Sequence, residues 1–343
     1  MGTLVSSDRT MLRRASKVGR KFSNPVPTVI GGLGTIFKLL PHYLTNKAET
    51  APARPLGPFR TDVSIYAKAS ESGLRVTWMG HSSLLVEIDG VRLLIDPMWD
   101  ERASPTSWAG PKRFFAPTMR LEELPSIDAV LVSHDHYDHL GEASIRGLAG
   151  MVSMRGAKWV TSLGVGEELR QFGVEATRIQ EMDWTESVNV GGVEITAVPT
   201  RHFSGRSLFN RFETLWSAFV LKGPKHTVYF GADSGWWEGF AEIGAAYGPF
   251  DLTMLEIGAF DVLWDGIHLG PDGAARAFEA LGGRGLMMPI HWGLFDLALH
   301  AWRQPITRIV ELADERGIKL WAPEPGRPTE VVGGDEVRSD WWR

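Results

Sequence analysis

One run of twelve residues constrains this chain more than any other: AVLVSHDHYDHL, residues 129–140. Its first four residues, 129–132, are apolar and rich in valine, as a buried strand requires. They deliver His134, His136, Asp138 and His139 into the turn that follows. Imidazole nitrogens and a carboxylate oxygen are the donors that suit zinc and its divalent neighbours. A lone buried histidine is usually a hydrogen-bonded core residue. Four such donors within six positions would repel one another or go unsatisfied if buried without a cation. The fold must therefore bring a strand end to a metal-binding edge.

The chain has no cysteine, which removes disulfides, thiolate catalysis and cysteine-ligated zinc together, so any metal rests on histidines and carboxylates. With 343 residues, 43% of them hydrophobic and 22% charged, it can bury a sizeable core, as a large enzyme does. A net charge of -5 argues against a protein that coats nucleic acid, which needs a broad lysine and arginine surface.

The first 59 residues read as a basic and apolar arm followed by a Pro-rich linker, 51–59. Arg9, Arg13, Arg14, Lys17, Arg20 and Lys21 precede an apolar stretch at 26–40. Two readings stand side by side: peripheral membrane contact through residues 9–40, or an arm that packs on the main domain. Pro25, Pro27, Lys38 and several glycines interrupt the stretch too often for a transmembrane helix. A signal peptide is the weaker alternative, so the expected location is cytoplasmic, including the membrane surface, with export left open. Met1-Gly2 with Ser6 fits the short myristoylation pattern. GGLGTIFK lacks the Gly-Lys-Ser/Thr ending of a phosphate loop.

From residue 60 to 343 the pattern is that of one continuous α/β domain. Strands are predicted at 75–79, 83–88, 91–95, 129–132, 193–198, 218–222, 227–231, 252–257 and 286–290, and helices at 142–149, 166–171, 271–281 and 305–317. Two strand groups with interspersed helices predict a sheet sandwich flanked by helices. Further metal-type residues recur just past strand ends: His202 after 193–198, Asp233 after 227–231 and His291 after 286–290. Such positions gather on one edge of a sandwich. Sorted this way, His134, His136 and His202 hold one ion, Asp138, His139 and His291 a second, and Asp233 bridges both. Seven donors suit two ions roughly 3.5–4 Å apart that share a water.

The pattern His-x-His-x-Asp-His with distal His, Asp and His resembles the metallo-β-lactamase superfamily, whose fold is an αβ/βα sandwich with a binuclear metal edge. A nearer likeness runs through LRVTWMGHSSLLVEIDG, ASPTSWAGPKRF, ELPSIDAVLVSHDHYDHL, Arg206-Ser207-Leu208, GPFDL and IHWGLFDLA, and through residues 22–28, FSNPVPT. These resemble the N-acylphosphatidylethanolamine-hydrolysing phospholipase D group. The likeness implies two Zn2+, with other divalent transition metals as alternatives, and a phospholipid or other phosphodiester substrate. The segment His268-Leu-Gly-Pro-Asp resembles a family segment near the reaction centre, which implies an active-site role for His268. Two departures bear on substrate. Arg201 stands where relatives often carry a neutral polar residue, and residues 260–266, with Asp261 and Asp265, differ from the family's wording.

A water between two ions loses a proton near neutral pH and becomes a hydroxide placed for in-line attack on a phosphodiester. Asp138 and Asp233 are expected to be catalytic as ligands that orient it, and His268 to meet a phosphoryl oxygen or assist the leaving group. His81 and Asp96 follow early strands and are candidates for holding ligand imidazoles in the right tautomer. Trp99, Trp108, Trp236, Trp237 and Trp264 fall near the site loops, either as an apolar mouth or as core. A lactonase or other acyl-bond hydrolase of the same fold is the alternative, because the same hydroxide attacks a carbonyl carbon. A metal-binding module without turnover is a third reading, and a homodimer is one permitted assembly.

Overall fold

In the computed structural model, residues 12–30, 41, 45–207, 209–261 and 266–343 are described. In chain order these form β1 (Ser16–Val18), β2 (Lys21–Ser23), β3 (Leu74–Trp78), β4 (Leu84–Ile88), β5 (Val91–Ile95), β6 (Ala129–Val132), α1 (Glu142–Gly150), β7 (Lys158–Ser162), α2 (Gly166–Gln171), β8 (Ile179–Met182), β9 (Ser187–Val190) and β10 (Val193–Val198). There follow β11 (Ala218–Lys222), β12 (Thr227–Phe230), α3 (Gly239–Tyr247), β13 (Leu252–Glu256), α4 (Gly270–Ala280), β14 (Leu286–Ile290), α5 (Gln304–Arg316), β15 (Trp321–Ala322), β16 (Thr329–Glu330) and β17 (Val337–Arg338).

Two sheets carry the fold. The first runs β16-β3-β4-β5-β6-β7-β8 and the second β14-β13-β12-β11-β10-β9. Period-2 alternation divides the first sheet's side chains between two layers. Val76, Trp78, Val86, Leu93, Ile95 and Leu131 enter one cluster with Ile195, Phe219, Val228 and Phe230 of the second sheet. Leu94, Val130, Val132 and Trp159 face the other way and cover Ile145 and Leu148 of α1 and Leu169 of α2. Helices α4 and α5 bury Ala274, Phe278, Ile306 and Ile309 in the main cluster. This is the αβ/βα sandwich that the sequence predicts.

Elements with strong periodicity lie where expected, within a residue or so. Strands β1, β2, β7, β8, β9, β15, β16 and β17 and helix α3 are additional to that reading; β8 and β9 are short, half-exposed strands whose apolar signal is weak. Pro289 in β14 lacks a donor for a ladder, and β14 is an edge strand, where that loss is tolerated. Helix α5 ends at Gly317, whose φ of 65° supplies the left-handed C-terminal residue.

Strand direction decides where the chemistry can be. Strand β4 is antiparallel to both β3 and β5, and β6 is parallel to β5, so β3, β5 and β6 point the same way. Strand β11 is antiparallel to both β10 and β12, and β13 and β14 are parallel to β12, so β10, β12, β13 and β14 also share one direction. The carboxyl ends of each set therefore lie along one edge of its sheet.

Of the N-terminal segment, residues 9–11 and 31–40 lie outside the described residues. Residues 12–30 lie on the second sheet's side. Phe22 is buried with Trp184, Leu215 and Trp216, and its amide donates to Phe212 O at 2.8 Å. Arg14 pairs with Glu186 and Arg20 with Glu213 on the surface. In the Pro-rich stretch, Phe59 packs edge-on against Phe115 and Trp341. Among the described residues no helix is long and apolar enough to cross a membrane.

The shared cluster gives a stability test. Phe219 is fully buried between neighbours from both sheets. Phe219→Ala should cost about 3–5 kcal/mol through lost burial and a residual cavity, and Phe219→Leu far less. Urea midpoints of the two variants check this.

Candidate metal centre

The turn after β6 begins with Ser133, whose amide and hydroxyl both donate to the Asp96 carboxylate, at 2.8 and 2.7 Å. Asp96 stands just past β5, the parallel neighbour of β6, so one carboxylate binds two adjacent strand ends. Its Oδ2 also lies 2.7 Å from His139 Nδ1, which commits that proton and leaves Nε2 facing inward. Asp135, between the two histidines of His-x-His, turns away: it accepts Gly205 N at 2.6 Å and Thr214 Oγ1 at 2.7 Å. That bond pair braces the turn against the loop after β10.

Inward-facing atoms form two groups. In one, His134 Nε2 and His202 Nε2 lie 2.9 and 3.2 Å from His136 Nδ1, and Asp233 Oδ2 lies 3.8 Å from the first and 3.5 Å from the second. In the other, Asp138 Oδ2 lies 3.5 Å from His139 Nε2, 3.3 Å from His291 Nε2 and 2.9 Å from His81 Nε2. Asp233 reaches this group too, with Oδ1 3.2 Å from His139 Nε2 and Oδ2 3.2 Å from His291 Nε2. Metal–nitrogen bonds of about 2.0–2.1 Å in a tetrahedral site set ligand atoms roughly 3.3 Å apart. The observed spacings scatter about that edge length.

The donors are dry. His134, His139, His202, Asp233 and His291 are all at most 2% exposed. His139 Nε2, Asp233 Oδ1 and both ring nitrogens of His291 have no hydrogen-bond partner among the described residues. Orphaned buried atoms aimed at one another are what a cation would satisfy. Protonation follows the same logic. Burial, together with neighbouring imidazoles, holds His134 and His202 well below the usual histidine range. Burial would lower His139 and His291 as well, but Asp233 and Asp138 outweigh it, raising His139 and pushing His291 up to about 10. Both shifts run toward positive charge beside the two carboxylates.

All ten residues singled out from the sequence come together at this edge. His81 sits in the β3–β4 turn, bonded to Asp138, and its carbonyl accepts the amide of His291 at 3.0 Å. Asp96 touches His139 as described. His268 stands beside the donors, its ring 5.1 Å from that of His202 and 5.3 Å from that of His291. Its Nδ1 is 2.6 Å from Glu256 Oε2, which leaves Nε2 for a cavity of about 670 Å³ lined by Arg201, Trp236, Phe260 and Arg276. Glu256, Asp135 and Ser133 are additions to the sequence reading. Glu256 is fully buried at the end of β13 and accepts the amides of Ser234 and Leu269 besides His268. A carboxylate closing an apolar strand, where His and Asp close the others, was its available signal.

Backbone strain collects at the same place. His81, Asp96, Ala232 and His291 have φ of 55°, 40°, 47° and 60°, a left-handed conformation that non-glycine residues avoid at a cost of order 1–3 kcal/mol. Of the tryptophans, Trp237 is core, Trp99 is half-buried with its indole donating to Met119 O, Trp108 is exposed, and Trp236 lines the cavity under the Arg276 guanidinium, 3.6 Å away. Trp264 and Asp265 lie outside the described residues.

Comparison with known proteins agrees with this geometry. Residues 91–292 match the family model described as beta-lactamase superfamily domain. An uncharacterised protein of Mycobacterium tuberculosis is 42% identical over 298 residues, covering 86% of this chain and 79% of that one. N-acyl-phosphatidylethanolamine-hydrolyzing phospholipase D 1 of Caenorhabditis elegans is 36% identical over 258 residues, 72% of each chain. Among solved structures, isothiocyanate hydrolase from Delia radicum gut bacteria superposes with a TM-score of 0.61 at 20% identity, covering 76% of this chain and 99% of that one. Igni18, a metallo hydrolase of Ignicoccus hospitalis, gives 0.55 at 23% identity, over 75% and 97%.

The Asp96 contacts make a prediction. Asp96→Ala frees the His139 ring and unties Ser133 from β5, and should weaken metal retention about 10–100-fold. Competition with a chromophoric chelator measures it; unchanged affinity would show that His139 needs no orienting partner.

Proposed function

The chain belongs to the beta-lactamase superfamily and is a metal-dependent hydrolase of the metallo-β-lactamase fold; from that premise we propose a binuclear zinc phosphodiesterase of phospholipase D type, acting on an N-acylphosphatidylethanolamine-like phospholipid. The observation that carries this reading is two neighbouring donor groups, His134, His136, His202 and Asp233 in one and His81, Asp138, His139 and His291 in the other, with Asp233 oxygens also 3.2 Å from His139 Nε2 and His291 Nε2. His134, His136 and His202 would hold one ion and Asp138, His139 and His291 the other, with Asp233 between them. When bound, two such ions activate water near neutral pH and neutralise charge on an anionic oxygen.

The chain's own residues supply the rest. Asp138 and Asp233 fix the direction of attack, since both carboxylates are held by imidazoles on rigid strand ends. Glu256 holds His268 Nδ1 and leaves Nε2 as the free nitrogen; with a second proton on Nε2 the ring can hydrogen-bond a phosphoryl oxygen, or pass that proton to a leaving alkoxide and remain as the neutral imidazole. Arg201, Arg276 and Arg316 line the same cavity as His268, together with Asp261 and Asp272, a lining with one more positive than negative charge that favours an anionic substrate.

A phospholipid must be met at a surface. Val29 and Phe209 are 91% and 90% exposed, and each lies in a segment bonded to the His202 loop or to the turn after β6. Apolar side chains there, with exposed Arg13, Lys17 and Lys21, fit peripheral contact with an anionic bilayer. The acyl-bond alternative uses the same donors on a carbonyl, and a panel of phosphodiesters assayed beside a panel of lactones separates the two.

Three outcomes are expected. Elemental analysis of protein saturated with zinc should give close to two ions per chain, with chelation abolishing turnover; full activity with one ion would refute the binuclear centre. Asp233→Asn should lower turnover by at least about 100-fold, the scale of losing one preorganised electrostatic group, because it weakens both sites; wild-type activity and metal content would remove Asp233 from the centre. Phe209→Asp should slow hydrolysis of lipid vesicles while leaving a small soluble phosphodiester unaffected, measured as two rates on one preparation. Equal rates on vesicles before and after the change would leave the surface reading without support.

A further inference from the structure

The His202 loop is held from outside its own domain. Beyond Val198, the end of β10, the chain leaves the sheet, so the peptide groups of residues 201–202 have no ladder to join. On one side they meet the Asp233 loop: Arg201 N donates to Ser234 Oγ at 3.0 Å, and Gly235 N donates to Arg201 O at 2.7 Å. On the other side stands the N-terminal segment. Asn24 Oδ1 accepts His202 N at 2.9 Å, and Asn24 Nδ2 donates to His202 O at 2.7 Å. A carboxamide carries one acceptor and donors on one planar group, so Asn24 closes on this peptide as a neighbouring strand would. Four residues on, Thr28 Oγ1 accepts Arg201 Nε at 3.0 Å.

The clamp is itself anchored. Phe22, two residues before Asn24, is buried under Trp184, Leu215 and Trp216, and Pro25 and Pro27 stiffen the chain that follows. With the main chain of His202 held by Asn24, the ring has one further restraint: Nδ1 donates to Ile267 O at 2.8 Å. Nε2 is then left 3.2 Å from His136 Nδ1.

We infer that Asn24 is a positioning residue for the metal centre: by binding both peptide groups of His202 it sets the place of that imidazole, and the N-terminal arm thereby completes a site whose donors all lie in the main domain. The inference rests on the reading of His202 as a metal ligand. Neither composition nor the donor pattern assigns Asn24 a role; the two bonds to one residue's main chain do.

The test uses the full chain, stripped of metal and titrated with Co2+, whose visible absorption reports occupancy and geometry apart from turnover. Asn24→Ala removes both bonds. Asn24→Asp keeps the shape, loses the donor and sets a carboxylate against the His202 carbonyl. In both, one of two Co2+ equivalents should bind about tenfold or more weakly, the scale of losing an outer partner of a ligand, with an altered spectrum for that equivalent and the other unchanged. Excess metal should restore kcat in Asn24→Ala. His202→Ala is the control. Should it leave both equivalents intact, the ligand reading fails; should it remove one equivalent while both Asn24 variants bind as wild type does, the positioning role fails. Uniform weakening of both equivalents with a lowered unfolding temperature in both variants would also overturn it, in favour of a scaffold role.

Discussion

Two carboxylates and five imidazoles aimed at one another, five of the seven fully buried, are the constraint around which this structure is arranged. Asp138 and Asp233 are each in contact with His291, and Asp233 touches histidines from both donor groups. Such a set is stable only with positive charge among its members. The carboxylates raise His139 and His291 above the usual histidine range, the direction in which positive charge relieves them. The fold holds these donors in place with main-chain restraint and not with packing alone.

That restraint has a repeated form. Asp96 ties two neighbouring strand ends and orients His139. Glu256 ties Asp233's neighbour Ser234 to Leu269 and orients His268. Ile267 O orients His202. In each case one oxygen commits the outer nitrogen of a ring, so that the inner nitrogen presents a lone pair or a proton in a fixed direction. The left-handed φ values of His81, Asp96, Ala232 and His291 belong to the same account. Their cost is borne by the sandwich behind them, where fully buried rows of both sheets pack together.

Much of this was legible in the chain. The run 129–140 announces a strand followed by metal donors because apolar residues and polar donors do not otherwise alternate so abruptly. His202, Asp233 and His291 each follow a readable strand, so their sharing one edge could be argued from position. Glu256 and Asp135 were harder: each is a single carboxylate in an apolar or histidine-rich stretch, and its partners, Ser234 and Leu269 for one, Gly205 and Thr214 for the other, lie 13 to 79 residues away. Strands β8 and β9 carry little apolar signal because they lie toward solvent at the margins of their sheets.

What the sequence by itself determined is the chemistry: which donors exist, that cysteine is excluded, and that strand ends carry them. Local pattern suffices for that, since the side-chain period and the residue types are properties of short segments. Only the tertiary structure decided which atoms meet. The shared direction of β3, β5 and β6 in one sheet and of β10, β12, β13 and β14 in the other, the clamp of Asn24 on His202 across 178 residues, and the pairing of Glu256 with His268 all depend on contacts between segments remote in the chain. Those contacts come from burying the faces of two sheets against each other, a condition on the whole molecule that no window of sequence contains.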